Sequence, residues 1–299
     1  MNAQPATHAA GGRPWFPWAA LAVGTAAVVW AWWATLGELA ARWGHDPQYS
    51  HGYLVPAFAV LLLWLRRDRL AGATPAPSAW GAPVLAAGLA LRLVGGYFHY
   101  VWFDAVSLVP VLAGLWLLVG GRAVWRWAWP ALLFLAFMVP LPFRVAGALS
   151  GPLQRVATVA STFALQTIGL PAVAEGNVIL LDEAEIGVVE ACSGLRMLVV
   201  FFALSTGLAL VVRRPLWERL LVVASAAPIA LAVNIARITA TGVLHETVGS
   251  RLANLVFHDL AGWLMMPLAL ALLALELAYL RRLVLDGPPA RGTRPAAAR

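Results

Sequence analysis

VWFDAVSLVPVLAGLWLLVGGRAVWRWAWPALLFLAFMVPL, residues 101–141, decides the class of fold. Two apolar runs, 101–119 and 124–141, flank a short break, GGRAVWR, that carries two glycines with Arg122 and Arg126. A hydrocarbon core of ~30 Å takes about 20 residues of helix at ~1.5 Å per residue. Each run is close to that length. Backbone groups in lipid must be satisfied within their own segment, so apolar runs of this kind form helices, and charge collects in the turn between them.

The same pattern extends in both directions. Of 299 residues, 61% are hydrophobic and only 12% charged, with a mean hydropathy of +0.78. An ordinary soluble domain carries about 25% charged residues. Further apolar runs cover 15–37, 53–66, 80–98, 191–212, 217–242 and 258–280, which makes eight candidate spans. The second is short, and the third contains Arg92. The expected fold is all-α: a polytopic integral membrane helical bundle of about eight transmembrane helices. GELAARWGHDP, residues 37–47, follows the first run without a small-residue cleavage site, so that run is expected to be retained rather than removed as a signal peptide. Residues 1–282 read as one transmembrane domain, and 283–299, rich in Pro, Gly, Ala and Arg, as a disordered basic cytoplasmic tail. The tail's charge suits topology rather than nucleic-acid binding. No internal repeat of the kind that builds two-halved transporters is visible.

Basic residues near helix ends mark the cytoplasmic side. The chain has no lysine, so all 21 basic residues are arginine. With the N-terminus inside, fourteen of them fall in cytoplasmic segments: Arg13, Arg66, Arg67, Arg69, Arg122, Arg126, Arg213, Arg214, Arg219, Arg281, Arg282, Arg291, Arg294 and Arg299. The other side collects most of the acids and histidines, among them Glu38, Asp46, Glu175, His45, His51, His99, His245, Glu246, His258 and Asp259. The expected location is the cell inner membrane, with residues 142–190 and 243–257 extracytoplasmic. The 15 tryptophans suit interfacial belts.

One long stretch, from about Pro142 to Glu190, lies between the fifth and sixth spans. FRVAGALSGPLQRVATVASTFALQTIGL, residues 143–170, spaces its apolar residues as an amphipathic helix along the outer interface. VAEGNVILLDEAEIGVVE, residues 173–190, has a Gly-Asn turn signal and β-branched residues, and predicts short strands or a hairpin.

Three residues on the expected outer side carry chemistry. Cys192, the only cysteine, sits in VVEACSGLRML at the start of the sixth span. A lone cysteine at the edge of an apolar helix is often a small buried side chain. Its position after the polar outer stretch offers a second reading, because a helix N-terminus stabilises an anion and raises the thiolate fraction. Arg237 lies in PIALAVNIARITATG, near the outer end of the seventh span. It is either a snorkelling interfacial residue or a functional one retained for a partner, with Asn234 three residues earlier on the same face to orient it. His258, in NLVFHDLAGWLMM, opens the eighth span on the same side. Histidine exchanges a proton near neutral pH, and arginine stabilises a thiolate or an oxyanion. Asp259 is adjacent to His258, but successive helical residues point ~100° apart, so a capping or interfacial role suits it better than orienting the ring.

DPQYSHGYLVP (46–56), PLQRVAT followed by EGNVILL (152–181), EACSGLRML (190–198), NIARI (234–238) and FHDLAGW (257–263) resemble, in order, the signatures of the exosortase and archaeosortase family. The resemblance covers nearly the whole chain, and CSGLR is its most specific block. It implies that residues 1–282 form an exosortase-like domain, a membrane-embedded cysteine protease or transpeptidase. Cys192 would be the nucleophile, Arg237 the family's arginine and His258 its catalytic histidine. It also implies processing of secreted proteins that carry a C-terminal PEP-CTERM signal, made of a short motif, a membrane helix and an arginine-rich end. Arg196 is one turn from Cys192, placed to pair with Glu190 or to hold substrate. Tyr49, Ser50 and His51 resemble the family's outer-loop motif in a lining or scaffolding role. No metal or organic cofactor is expected, and the histidine spacing offers no zinc motif. The expected partners are a membrane-anchored protein substrate, the lipid bilayer and exopolysaccharide machinery, with no nucleic acid. The alternative is a transporter using Arg237, Arg92 and the acids as a polar pathway, or a scaffold in exopolysaccharide export.

Overall fold

The structure is a computed structural model that describes residues 16–70, 75–182, 185–187, 194–212, 214–249 and 261–283. The chain groups into two compact units, one ending at Ala146 and one beginning at Gly147.

In the first unit, α1 (Phe16–Ala31) and α2 (Trp33–His45) meet at Trp32 with a 66° bend. The bend is tied down from outside. Trp32 is 3% exposed, and its indole Nε1 donates to the Asp104 carbonyl at 3.0 Å and to Ser107 Oγ at 3.1 Å. Arg92 stacks its guanidinium 3.7 Å over the Trp32 ring, pairs with Asp104 at 3.4 Å, and donates to the Ala31 carbonyl at 2.6 Å. Thr35 donates to the same Asp104 carboxylate. An arginine inside a span costs roughly 2.5–3.5 kcal/mol on insertion scales unless it is paired. Asp104 offsets that charge, so Arg92 here holds a helix break together.

A 3-10 turn, Pro47–Tyr53, leads into α3 (Leu54–Leu65). α4 (Gly81–Phe98) and α5 (Val101–Phe134) then form a close antiparallel pair. Gly81 faces Leu118, Gly88 faces Val111 and Gly95 faces Asp104, so the residue opposite falls as α4 rises. A Cβ at Gly88 would stand 2.8 Å from the Val111 backbone, which only a bare backbone avoids. Small residues are what let membrane helices approach this closely.

α5 is helical over 34 residues except at Gly121, whose φ of 69° and ψ of −165° leave the helical region. The rings of Trp116 and Trp127 stack with centroids 5.8 Å apart. Eleven residues of straight helix would separate them by ~16 Å, so the chain doubles back at Gly120–Gly121. The break expected from GGRAVWR is therefore present, and the fourth and fifth expected spans are the two limbs of a hairpin.

In the second unit, α6 (Phe143–Ile168) precedes a three-stranded antiparallel sheet of β1 (Val173–Glu175), β2 (Val178–Leu180) and β3 (Glu185–Gly187). Gly176, at φ 61°, turns β1 into β2, pairing Glu175 with Val178. α7 (Gly194–Val211), α8 (Leu216–Ala224), α9 (Ala226–Val248) and α10 (Ala261–Leu283) follow. α6 buries a small and hydroxyl face, Ala157, Thr158, Ser161, Thr162 and Leu165, and exposes Val156, Val159 and Phe163. This is the amphipathic helix the sequence predicts, with its apolar side turned away from the protein. The strands predicted after it are also present. Ile179 and Ile186 of the sheet pack with Leu165 of α6 and Ile238 of α9 in one core.

Eight spans are not confirmed among the described residues. Among the described residues, Gly81–Phe98, Val101–Met138 and Leu216–Val248 are long and apolar enough to cross a membrane, and the bent α1–α2 pair makes a fourth. α3 has only 12 residues, about 18 Å of helix. The fourth and fifth expected spans, joined in the run Val101–Met138, are the two limbs of the hairpin at Gly121. The sixth and eighth begin at residues outside the described ones, and their described apolar parts, Leu195–Val211 and Leu270–Leu280, are shorter. The seventh is longer than expected: α9 continues to Val248, so His245 and Glu246 lie on a helix rather than in the expected outer loop. Leu283, the first residue of the expected tail, is helical, and the rest of the tail lies outside the described residues.

Candidate active site

The second unit positions the expected site through the packing of α7 against α8 and α9. Leu198 of α7 lines a small cavity with Ala227, Ala230, Leu231 and Asn234 of α9. Near its other end, the carbonyl of Ala209 accepts a hydrogen bond from Arg219 of α8. As α7 advances its neighbours therefore fall in number, so it runs antiparallel to α8 and α9. Its first turn, from Gly194, points toward the half of α9 that holds Asn234 and Arg237. Met197 and Phe201 lock this register against Ala226, Ala230 and Val233.

On α9, Asn234 is 3% exposed and Arg237 is half-buried one turn later. Both side chains are engaged in interactions. The Nε atoms of Arg237 and of Arg196, two residues into α7, are shielded from solvent. The hydroxyl of Thr241 donates to the Arg237 carbonyl at 2.9 Å, one turn further along the same helix. A charged, planar donor is thus held midway along α9 rather than near its outer end as expected, because the helix runs on to Val248, and the first turn of α7 points toward this part of it. Such a group stabilises a thiolate or a developing oxyanion.

Cys192, Glu190, His258 and Asp259 lie outside the described residues. Cys192 precedes the first residue of α7 by two positions, and His258 precedes that of α10 by three. Of the three catalytic candidates, the structure places Arg237.

Tyr49, Ser50 and His51 sit in the first unit, on the 3-10 turn between α2 and α3. Asp46 opens the turn by accepting from the Gln48 N–H at 2.9 Å. Tyr49 is 5% exposed, accepts a hydrogen bond from Gln48 at 3.1 Å and lies under the Arg42 guanidinium. Burial pushes its phenol above the usual tyrosine range, partly opposed by the Arg42 charge. Ser50 is exposed and donates to the Pro47 carbonyl at 3.0 Å. His51 donates from Nε2 to the Phe137 carbonyl at 3.2 Å. Burial lowers its pKa from the ordinary 6.5, against the raising effect of the Phe137 and Gln48 carbonyls. These contacts secure the turn against the end of α5.

Two residues that the sequence reading gave no role now stand out. His245 Nδ1 and Glu246 Oε1, in the last turns of α9, are buried without a hydrogen-bond partner among the described residues. Only the unexpected length of α9 places them there. No group of three or more His, Cys, Asp or Glu able to hold a metal is present among the described residues.

The model of the transmembrane exosortase family matches residues 43–275. That match takes in more than three quarters of the chain and every candidate site residue from Tyr49 to Asp259. The chain belongs to the transmembrane exosortase family. It is accordingly a helical membrane protein of that family, as its apolar helices also indicate. No match was found among curated proteins or among solved structures. The family match runs from the end of α2 into α10, so both compact units belong to the exosortase architecture.

Proposed function

We propose that the chain is a membrane cysteine protease or transpeptidase that cleaves C-terminal PEP-CTERM-type sorting signals of secreted proteins, working at the periplasmic face of the inner membrane. The observation that carries this reading is the register of α7 against α9, which directs the helix following Cys192 toward Arg237 in a chain of the exosortase family. The Cys192 thiolate attacks the scissile carbonyl, and Arg237 stabilises the oxyanion. His258 protonates the leaving amine, the C–N bond breaks, and a thioester remains on Cys192. Water or an amine acceptor then takes the acyl group and releases the thiol. The substrate shares the bilayer, presenting its membrane helix sideways and its basic end on the cytoplasmic side.

The test is co-expression of the full chain with a membrane-anchored reporter bearing such a signal, scored for reporter processing. Cys192→Ala and Cys192→Ser abolish processing while the protein stays at its normal level in the membrane, because a serine hydroxyl is too weakly acidic to replace a thiolate. Near-parental cleavage by a well-expressed Cys192→Ala variant overturns the nucleophile, and with it the enzyme. A transporter or export scaffold would survive this substitution.

A further inference from the structure

The first unit carries a cleft of about 380 Å³ between α2, the start of α5 and residues 139–143. Glu38 and Arg42 of α2 line one side, and Tyr100, Trp102, Pro140 and Phe143 are among the residues that complete it. Glu38 and Arg42 are both exposed. They are one helical turn apart, yet the ion pairs among the described residues are Arg92–Asp104 and Arg214–Glu218, and neither includes them. An anion and a cation thus line one largely apolar cleft without forming an ion pair with each other, the Arg42 guanidinium lying instead over the Tyr49 ring. Phe143 is 90% exposed and Tyr100 62% exposed. Tyr97 and Phe98, at the neighbouring end of α4, are 79% and 60% exposed, so exposed aromatic residues cluster in the chain just before the cleft. Exposed aromatic residues at helix ends sit at the headgroup level of a bilayer. By the arginine distribution, these helix ends belong to the outer side.

We propose that this cleft binds an outer-leaflet phospholipid whose headgroup carries both a phosphate and a primary ammonium, the phosphatidylethanolamine class. Residues one turn apart on a helix have Cβ atoms about 5–6 Å from each other, so two long side chains of opposite charge rooted there can reach the two ends of one zwitterionic headgroup. Arg42 presents a planar fork of donors to the phosphate. Glu38 accepts from the ammonium, and Tyr100 and Trp102, which also line the cleft, supply aromatic rings of the kind that attract a cation. The apolar floor and Phe143 receive the beginning of the acyl chains. The aromatic residues lining and preceding the cleft favour a lipid over a soluble ligand. This inference is independent of the role of Cys192.

The experiment is native mass spectrometry of the purified full chain in detergent, titrated with phosphatidylethanolamine, phosphatidylglycerol and phosphatidylcholine of matched acyl chains, and with soluble phosphoethanolamine. Phosphatidylethanolamine half-saturates the protein at a concentration at least ~10-fold below the other two lipids. Phosphatidylglycerol lacks the cation, and choline has no N–H to donate to Glu38. Glu38→Gln abolishes the preference over phosphatidylcholine, and Arg42→Gln weakens retention of all three lipids. Equal retention of the three lipids by the parent overturns the proposal, as does an unchanged preference in both variants. Phosphoethanolamine that displaces the lipid at equal concentration overturns the assignment to a lipid. Should either charge variant fold poorly, Phe143→Ala, at a residue that is nearly fully exposed, must lower phosphatidylethanolamine retention, and its failure to do so counts equally against the cleft.

Discussion

Arg92 and Arg237 show how one residue type serves two ends inside a membrane span. Arg92 has its counter-charge within reach in Asp104 and an indole beneath it, so its guanidinium is consumed by structure. Arg237 instead stands on α9 one turn from Asn234, where α7 begins to approach. On the proposed mechanism, Arg237→Lys loses most turnover while membrane level and substrate association persist. Lysine is a point charge whose pKa falls on desolvation, and loss of one oxyanion donor costs roughly 10²–10³ in rate. Near-parental processing by both Arg237→Lys and Arg237→Ala would reduce the residue to an interfacial anchor. His51 predicts a pH effect of definite sign. Its folded pKa lies below the ordinary 6.5, so between those values the unfolded chain binds the extra proton. Stability is therefore complete above pH about 6.5 and declines as pH falls through that window. Thermal scans in detergent from pH 8 to 5 should show the decline, with a flatter profile in His51→Gln. Parallel profiles for the two proteins would exclude His51 as its source.

At the scale of elements, Gly121 does the work of a loop inside one continuous run. Its backbone occupies a region open essentially to glycine, and a Cβ there would stand 1.6 Å from the Ala76 carbonyl oxygen. Gly121→Ala is expected to destabilise the first unit by at least ~1–3 kcal/mol, read as a fall in melting temperature and loss of membrane-integrated protein. Gly147→Ala, on α6 with open space around its Cβ position, provides the contrast. It is expected to be neutral or stabilising by up to ~1 kcal/mol, since alanine loses less chain entropy in a helix. Equal tolerance of both substitutions would mean that the hairpin does not depend on the Gly121 backbone.

For the whole molecule, the arginine distribution predicts opposite sides for two exposed positions, one in each compact unit. Glu175 lies on β1 and Asp68 on the 3-10 turn Arg67–Leu70. In a Cys192→Ala background, Glu175→Cys should react with an impermeant thiol reagent from the periplasm, whereas Asp68→Cys should react only after the membrane is permeabilised. Labelling of Glu175→Cys from the cytoplasm alone would invert the topology and move the proposed site to the wrong side.

The helical class, the break at GGRAVWR, the strands after residue 172 and the ordered motifs were all legible from sequence. Each depends on local apolar length, turn residues or spacing, which act over a few helical turns. The pairing of Arg92 with Asp104 was not legible, nor was the buried Trp32 that receives both Arg92 and the α5 backbone some 70 residues away. The continuation of α9 past residue 242 also escaped, because the apolar run gives way there to a mixed polar stretch, GVLHETV, whereas the helix runs on to Val248. The sequence by itself determined which residues could carry the chemistry and that they belong to a membrane helical protein. Only the tertiary structure decided which charges are spent on holding helices together and which helix ends meet. Those outcomes depend on contacts between segments far apart in the chain, whose partners no local pattern specifies.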